Sequence, residues 1–191
     1  MVLKEQAGDS ALSVQNQHSI GFSAENQYVT FWIGAEEYGI DIMLVQEIIR
    51  YHQPTRVFNS NPVISGVINF RGKVIPVINM HHKFNLHSTQ EYDEFTVIIV
   101  IEVNNKTMGM IVDRVSDIMS FQAENIQVVD REFADDIRSE HLKGMAKSAD
   151  RIILLLDPER VLSFAELKQV REITAKHAAA GEALENLLEK A

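Results

Sequence analysis

The chain contains no cysteine, which excludes disulfide bonds, thiolate zinc sites and cysteine nucleophiles. It lacks any apolar run close to the roughly 20 residues of a membrane-spanning helix, and residues 1–26 lack the apolar core of a signal peptide. Basic residues are fewer than acidic ones, 18 against 27, and the net charge of −9 argues against attraction to nucleic acid or anionic lipid. These absences predict a cytoplasmic protein that binds no nucleic acid and does not insert into a membrane.

The motifs of common catalytic and nucleotide-binding sites are absent as well. The sequence has no glycine-rich phosphate loop of the P-loop or dinucleotide type. It has no Gly-x-Ser-x-Gly nucleophile elbow either. We therefore predict neither catalytic residues nor a cofactor.

What the sequence does contain is a series of short β-rich runs. Residues 1–26 show no sustained period and are predicted to form a flexible tail, with order beginning near Gln27. Residues 28–33 are β-branched and aromatic and predict a strand, residues 34–37 a turn, and residues 38–42 the return strand. Pro76 interrupts a later apolar run, where it predicts an edge position, a bulge or a site that donates no ladder hydrogen bond.

The second half of the chain repeats the plan of the first. The repeat has two registers: a shift of 70 residues aligns Gly39 with Gly109, Val45 with Val115, Glu47 with Asp117 and Ile48 with Ile118, and a shift of 78 aligns Gly66 with Gly144, Val74 with Ile152 and Asn79 with Asp157. The glycine pairs make chance similarity a poor explanation. We expect two related β-lobes, each a small closed or sandwiched antiparallel sheet.

Three neighbouring histidines, His81, His82 and His87, raise the possibility of a metal site. Adjacent residues of a strand point to opposite faces, so His81 and His82 cannot easily share one ion. No His-x-x-x-His pair occurs in this segment. We predict no metal site and expect exposed residues in a loop between the lobes. A metal-assisted enzyme built on these histidines is the alternative.

The C-terminal segment has a different character from the rest. Ser163 and Glu166 have the spacing of a capping box, and the residues from there to Lys190 favour a helix that Gly181 weakens. Only a partial apolar stripe is present. We expect one helix docked on the β-lobes, followed by a frayed tail, in preference to a coiled coil that binds a partner.

Arg71 is the most informative polar residue of the β-rich region. It lies in Phe-Arg-Gly-Lys between two apolar runs, and Ala149 stands near the corresponding place in the second lobe. An arginine present on one lobe only marks a binding site or is a solvated hairpin residue. The sequence leaves both readings open.

Several motifs, spaced in order along the chain, resemble those of the CheW domains. They are Glu-Tyr-Gly-Ile-Asp-Ile-x-x-Val-Gln-Glu-Ile (37–48), Gly-Val-Ile-Asn-Phe-Arg-Gly-x-Val-Ile-Pro-Val (66–77), Gly-x-Ile-Val-Asp-x-Val-Ser-Asp-Ile (109–118) and the closing segment at 142–144 and 152–157. The resemblance implies a mainly β fold of two tandem SH3-like five-stranded β-barrels, here with a C-terminal α-helix. The implied boundaries are a tail at 1–26, a CheW-like domain at 27–166 and a helix or tail at 167–191.

The same resemblance implies a function without catalysis. CheW-type proteins couple the cytoplasmic tip of chemoreceptors to the regulatory domain of the histidine kinase CheA in membrane-associated arrays. The implied site residues are Ile42, Val45, Glu47, Gly66 and Arg71 for the receptor, and Ile118 and Phe133 for the kinase. We further expect Glu47 and Arg71 to form a charge pair that orients the receptor groove.

The sequence departs from the family pattern at a few positions. Ser65 stands where the family often has lysine, and Asn79-Met80-His81 replaces a usual Asp-Leu-Arg. These differences concern partner specificity more than the fold. A CheV-type protein, the regulatory domain of a kinase and an adaptor of a non-flagellar array remain alternatives.

Overall fold

A computed structural model describes residues 26–57, 60–86, 92–128, 139–148 and 151–163 and, in the C-terminal helix, 165–166, 168–170, 172–173 and 175. The strands are β1 (Gln27–Ile33), β2 (Glu36–Asp41), β3 (Val45–Arg50), β4 (Ile64–Phe70), β5 (Lys73–Asn79), β6 (Val97–Val103), β7 (Lys106–Val112), β8 (Arg114–Ser120), β9 (Ile126–Val128), β10 (Leu142–Ser148) and β11 (Arg151–Leu156). Two short helices follow strands: α1 (Met80–Lys83) and α2 (Pro158–Val161). Single 3-10 turns occur at Ile42–Leu44, Ala123–Asn125 and Ser139–His141. In this part of the chain, no helix is long and apolar enough to cross a membrane.

The strands form two sheets, and each sheet closes on itself. The first has the order β8-β1-β2-β11-β10-β9 and the second the order β3-β6-β7-β5-β4. In the second sheet, the chain that leaves β3 returns to pair Thr55 with Val67 of β4, which joins the two ends of the sheet. In the first, the chain that leaves β8 forms β9 and pairs with β10. We call these sheets barrel A and barrel B, and the predicted mainly β, two-barrel fold is confirmed.

The duplication is present in three dimensions with the two registers seen in the sequence. Leu155 of β11 pairs in parallel with Gly39 of β2, and Val77 of β5 pairs in the same way with Gly109 of β7. The irregularities also correspond: β3 has a bulge between Val45 and Glu47, and β8 has one between their counterparts, 70 residues later. The two barrels are therefore copies of one plan.

The barrels are not, however, the two halves of the sequence. The first hairpin, β1–β2, belongs to barrel A together with β8 to β11, whereas β6–β7 belongs to barrel B together with β3 to β5. The two expected lobes are therefore present, but neither corresponds to one half of the sequence. Each barrel takes its first hairpin from the other half of the duplication, which links the lobes through two chain crossings.

The hydrophobic core reflects this exchange. Alternate residues of β1 face different interiors: Tyr28 packs inside barrel A, while Val29 and Phe31 join a larger cluster shared with barrel B. The shared cluster includes Met110 of β7 and Ile78 of β5. Because the side chains of a strand alternate between faces, one strand can fill both interiors. The two barrels thus form one packed body.

Pro76 lies in β5, an interior strand between β7 and β4. Both the N–H and the carbonyl of its partner Val67 bond to Thr55, so the Val67–Pro76 pair exchanges no hydrogen bonds. The proline nitrogen faces β7, where ladder pairing begins only at Val77. Of the three expectations for Pro76, the site that donates no ladder bond is correct and the edge position is wrong.

The C-terminal helix begins where the sequence predicts. The Ser163 amide donates to Glu166 Oε2 at 2.6 Å, and the Glu166 amide donates to Ser163 Oγ at 3.3 Å, which is a capping box. Val170 and Ile173 are buried in the shared core, so the described part of the helix docks on the barrels. Gly181, the remainder of the segment to Lys190 and residues 1–25 of the predicted tail (1–26) lie outside the described residues.

Candidate functional site

The five residues predicted to bind the receptor lie on barrel B and on the turn that leads into it. Ile42 opens the 3-10 turn between β2 and β3, and Val45 and Glu47 lie on β3. Gly66 lies on β4, and Arg71 lies in the turn between β4 and β5. Strands β3 and β4 are the two ends of the sheet that barrel closure brings together.

Glu47 and Arg71 form the charge pair that the sequence suggested. Arg71 Nη2 lies 2.6 Å from Glu47 Oε2, and both side chains are accessible, with 69% of Arg71 and 40% of Glu47 exposed. Arg71 has a φ of 50°, and the following amide of Gly72 donates to Asn69 Oδ1 at 2.9 Å. The guanidinium also lies 5.1 Å from the centroid of the Phe70 ring. Turn geometry and the aromatic ring thus direct Arg71 towards β3.

Apolar side chains flank this charge pair. Ile42 and Val45 are half-buried and pack against the shared core. Ile48 and Met43 are exposed, at 41% and 67% of their surface. Sequence reasoning missed both as surface residues, although Ile48 and Ile49 are adjacent on a strand and cannot face the core together. The result is a surface of mixed apolar and paired charged groups.

Gly66 has a structural role that explains its presence. Its φ is 151°, and a Cβ atom placed there would lie 2.3 Å from the Thr55 carbonyl oxygen. Its counterpart Gly144 is also close to the chain that closes barrel A, since a Cβ would lie 2.8 Å from the Gln127 carbonyl oxygen. A glycine at this place is therefore a requirement of closure in both barrels. Contact between Gly66 and a receptor stays a prediction.

Of the two residues predicted to bind the kinase, the structure describes one. Ile118 lies on β8, at the end of barrel A, and is 58% exposed. Its amide donates to the Asp117 carboxylate at 2.7 Å. Ile118 of β8 is also the counterpart of Ile48 of β3, so both barrels present an exposed isoleucine at the same place. Phe133 lies outside the described residues.

The histidine segment differs from the expectation of an exposed loop. Asn79 accepts from the His82 amide at 3.1 Å and so begins α1, which turns His81 inward. The His81 ring is 7% exposed, and its Nε2 lies 2.8 Å from Asp113 Oδ1. The expectation of exposure is therefore wrong for His81 and correct for His82, although His82 lies in α1 and not in a loop. His87 lies outside the described residues.

The described residues do not bring together a constellation for catalysis. In this part of the chain, no three histidine or carboxylate side chains are placed to hold a metal ion. A cleft of about 340 Å³ is lined by Tyr51, Tyr92, Asn79 and His82 among others. Burial, followed by the neighbouring Tyr92, raises the pKa of Tyr51, so this phenol is held protonated. The Tyr51 ring stacks on the Tyr92 ring, with 4.1 Å between the centroids, so the two tyrosines pack against each other.

Comparisons with known proteins agree with this architecture. The family model of the CheW-like domain matches residues 27–166. The chain is 39% identical over 157 residues to the chemotaxis protein CheW of Klebsiella aerogenes, which covers 82% of the chain and 93% of that protein. It is 28% identical over 150 residues to the chemotaxis protein CheW of Treponema pallidum, with 77% of the chain and 88% of that protein covered.

A solved structure supports the same assignment. The crystal structure of the scaffolding protein TtCheW from Thermoanaerobacter tengcongensis superposes with a TM-score of 0.66 and 26% identity, over 74% of this chain and 90% of that one. The motifs, the two barrels with their exchanged hairpins and these matches all indicate the same family. The chain belongs to the CheW family, whose members are non-enzymatic scaffold proteins of chemotaxis.

Proposed function

We propose that this protein couples chemoreceptors to the histidine kinase CheA as an adaptor in chemosensory arrays. The observation that carries the proposal is the exposed Glu47–Arg71 pair, which lies among apolar side chains on barrel B. The Ile118 surface lies on barrel A, so the two surfaces belong to different parts of one rigid body. An adaptor needs two sites that do not compete, and the placement of these residues on different barrels supports the proposal.

The receptor contributes a helical tip in this proposal. An amphipathic helix binds by laying an apolar stripe on an apolar surface, with polar contacts that set its register. Ile42, Val45 and Ile48 supply the apolar contacts, and Glu47 with Arg71 supplies the polar ones. Gly66 keeps the backbone of β4 close to Thr55, which shapes this side of the barrel.

The kinase contributes its regulatory domain, which binds at Ile118 and Phe133. The exposed, branched side chain of Ile118 on β8 suits the apolar centre of a small interface. Each interface is modest and gains strength from the many copies in an array. The protein acts in the cytoplasm and is recruited to membrane-associated receptors without entering the membrane itself.

Reconstitution with a receptor signalling fragment and CheA tests this function. We expect the wild-type chain to stimulate kinase autophosphorylation several-fold, and Val45→Glu or Arg71→Ala to abolish the stimulation. Val45→Glu places a charge in the apolar contact, and Arg71→Ala removes half of the charge pair. Lys106→Ala, at the start of β7, serves as a control that retains full stimulation. Absence of stimulation by the wild-type chain with cognate partners would contradict the proposal.

A further inference from the structure

An aromatic groove lies at the end of barrel A that is formed by the β1–β2 turn and the start of β11. It has a volume of about 360 Å³, and its apolar lining includes Trp32, Ile152 and Leu154. Ile152 leaves 64% of its surface exposed and so gives the groove an accessible apolar side chain. We call this feature the Trp32 groove.

Arg151 lines the Trp32 groove and Arg114 stacks on its tryptophan, and the two arginines differ in how their charges are balanced. Arg151 lies 3.1 Å from the carboxylate of Glu37, whose side chain is 1% exposed, so this pair is complete within the protein. Arg114 stacks over the Trp32 ring at 5.1 Å from its centroid. Within the described residues, no carboxylate forms an ion pair with Arg114. Among the described residues, the groove therefore offers an aromatic surface, lined also by Glu36, beside an arginine that has no ion-pair partner.

The second barrel provides an internal control for this feature. The repeat registers place Glu102 of barrel B at the position of Trp32, Lys73 at that of Arg151 and Val74 at that of Ile152. Glu102 and Lys73 are exposed charged residues, and Val74 is half-buried. Because both barrels share one plan, the fold itself does not require an exposed aromatic and aliphatic surface at this place.

We propose that the Trp32 groove is a docking site for a protein segment that presents an aromatic or aliphatic side chain directly beside a carboxylate. The apolar side chain enters between Trp32 and Ile152, and the carboxylate pairs with Arg114. Stacking of the guanidinium on the indole leaves its N–H groups available for a carboxylate. Tryptophan and arginine are also the residues that dominate binding energy at protein interfaces.

This site contains none of the residues assigned to the surfaces of the proposed adaptor function. Glu47 and Arg71 lie on barrel B, whereas the Trp32 groove lies on barrel A and at the start of β8. Ile118 lies four residues further along the same strand. The inference does not depend on the receptor or the kinase, and its test uses neither.

The test uses the single tryptophan of the chain as a reporter. The ¹⁵N-labelled full-length protein is titrated with N-acetyl-Phe-Glu-amide and, separately, with N-acetyl-Phe-Lys-amide, while the Trp32 indole N–H resonance is followed. We expect a saturable shift with millimolar affinity and roughly threefold tighter binding of the glutamate peptide, as one exposed ion pair provides. Arg114→Glu reverses the preference, and Arg114→Gln abolishes it.

Two further variants separate the groove from general effects of charge and hydrophobicity. Lys73→Glu reverses a cation at the corresponding end of barrel B and is expected to leave the preference for glutamate unchanged. Ile152→Ser is expected to weaken both peptides by a similar factor. The proposal is overturned by an indole resonance that does not shift, by equal affinity for the two peptides, or by an Arg114→Glu variant, with native amide dispersion, that keeps the original preference.

Discussion

Gly66 allows the two ends of barrel B to be joined, because its missing side chain leaves room for the Thr55 carbonyl oxygen. The neighbouring glycine, Gly72, also has a positive φ, of 81°, but nothing lies within 4 Å of the place where its Cβ would be. The two residues share backbone strain and differ in the space around them. They therefore form a matched pair for measuring the cost of closure.

Gly66→Ala is expected to destabilise the fold by roughly 1–3 kcal/mol more than Gly72→Ala, because it adds a steric overlap to the strain that both substitutions share. Urea unfolding followed by circular dichroism gives both free energies. Equal losses would contradict the structural role assigned to Gly66. The comparison also matters for function, since a Gly66 variant that fails to bind a receptor must first be shown to fold.

The Glu47–Arg71 pair is exposed, so it contributes less than about 1 kcal/mol to stability. Its expected effect is on receptor binding. We predict that Glu47→Ala and Arg71→Ala each weaken binding of a receptor signalling fragment, and that the double variant is no weaker than the worse single variant. A double-mutant cycle by calorimetry measures this coupling. Strictly additive losses would show that the pair does not act as a unit.

The sequence led to this pair through the family motifs, which place both residues in one groove. It failed at His81, for a reason that is local and physical. The strand β5 ends at Asn79, whose side chain caps α1, and this change of direction decides which of two adjacent histidines faces inward. Alternation along an assumed strand could not reveal it. Ile48 was missed because an apolar residue among apolar residues gives no sign of its exposure.

Among the elements, the C-terminal helix is held by a buried ion pair. Lys83 of α1 lies 2.8 Å from Glu166, and their side chains are only 8% and 6% exposed. Burial raises the pKa of Glu166, but hydrogen bonds from Lys83 and Ser163 outweigh this and hold the pKa below its ordinary value. The helix is thus anchored by a carboxylate that must remain ionised.

His141 adds a second titrating group at the same place. Burial, followed by the charge of Lys83, lowers the pKa of His141 below its ordinary value of 6.5. Its Nδ1 donates to the Arg160 carbonyl at 2.7 Å, and its ring packs near Phe84. The folded protein therefore prefers the neutral imidazole.

These two shifts predict how stability depends on pH. Both pKa values are lower in the folded state, so both contributions are complete above the ordinary values and are lost as pH falls. Stability is expected to decline first below pH 6.5, as His141 becomes protonated in the unfolded chain, and again below 4.5, as Glu166 does. Unfolding free energies between pH 8 and 4 measure this. In the His141→Gln variant, the loss of stability just below pH 6.5 is expected to be smaller. A loss as large as in the wild-type protein would contradict its assignment to His141.

The sequence repeat could not predict that the two barrels exchange their first hairpins. The two shifts align strands that are similar, but similarity does not state which strands pair. The parallel contacts between β2 and β11 and between β5 and β7 decide the topology. They join segments more than 100 residues apart in the first case, which local patterns do not encode. By contrast, the capping box at Ser163 is encoded within four residues and was predicted correctly.

For the whole molecule, the shared core fixes the two barrels relative to each other. Phe31 and Tyr38 of barrel A pack in the same cluster as Met110 and Ile78 of barrel B. The surface at Glu47 and the surface at Ile118 are thus held at a constant distance and orientation. Such rigidity suits a scaffold, because a partner bound at one surface is presented in a defined position to a partner bound at the other.

The most direct test of this account is whether the protein bridges its two partners. Receptor signalling fragments are attached to vesicles, and the CheA regulatory domain is sedimented with them in the presence and absence of the chain. We predict that the kinase domain sediments only when the chain is present, that Arg71→Glu removes both proteins from the pellet, and that Ile118→Glu removes the kinase domain alone. Sedimentation of the kinase domain that does not depend on the chain, or an Ile118→Glu variant that loses the receptor as well, would contradict the account.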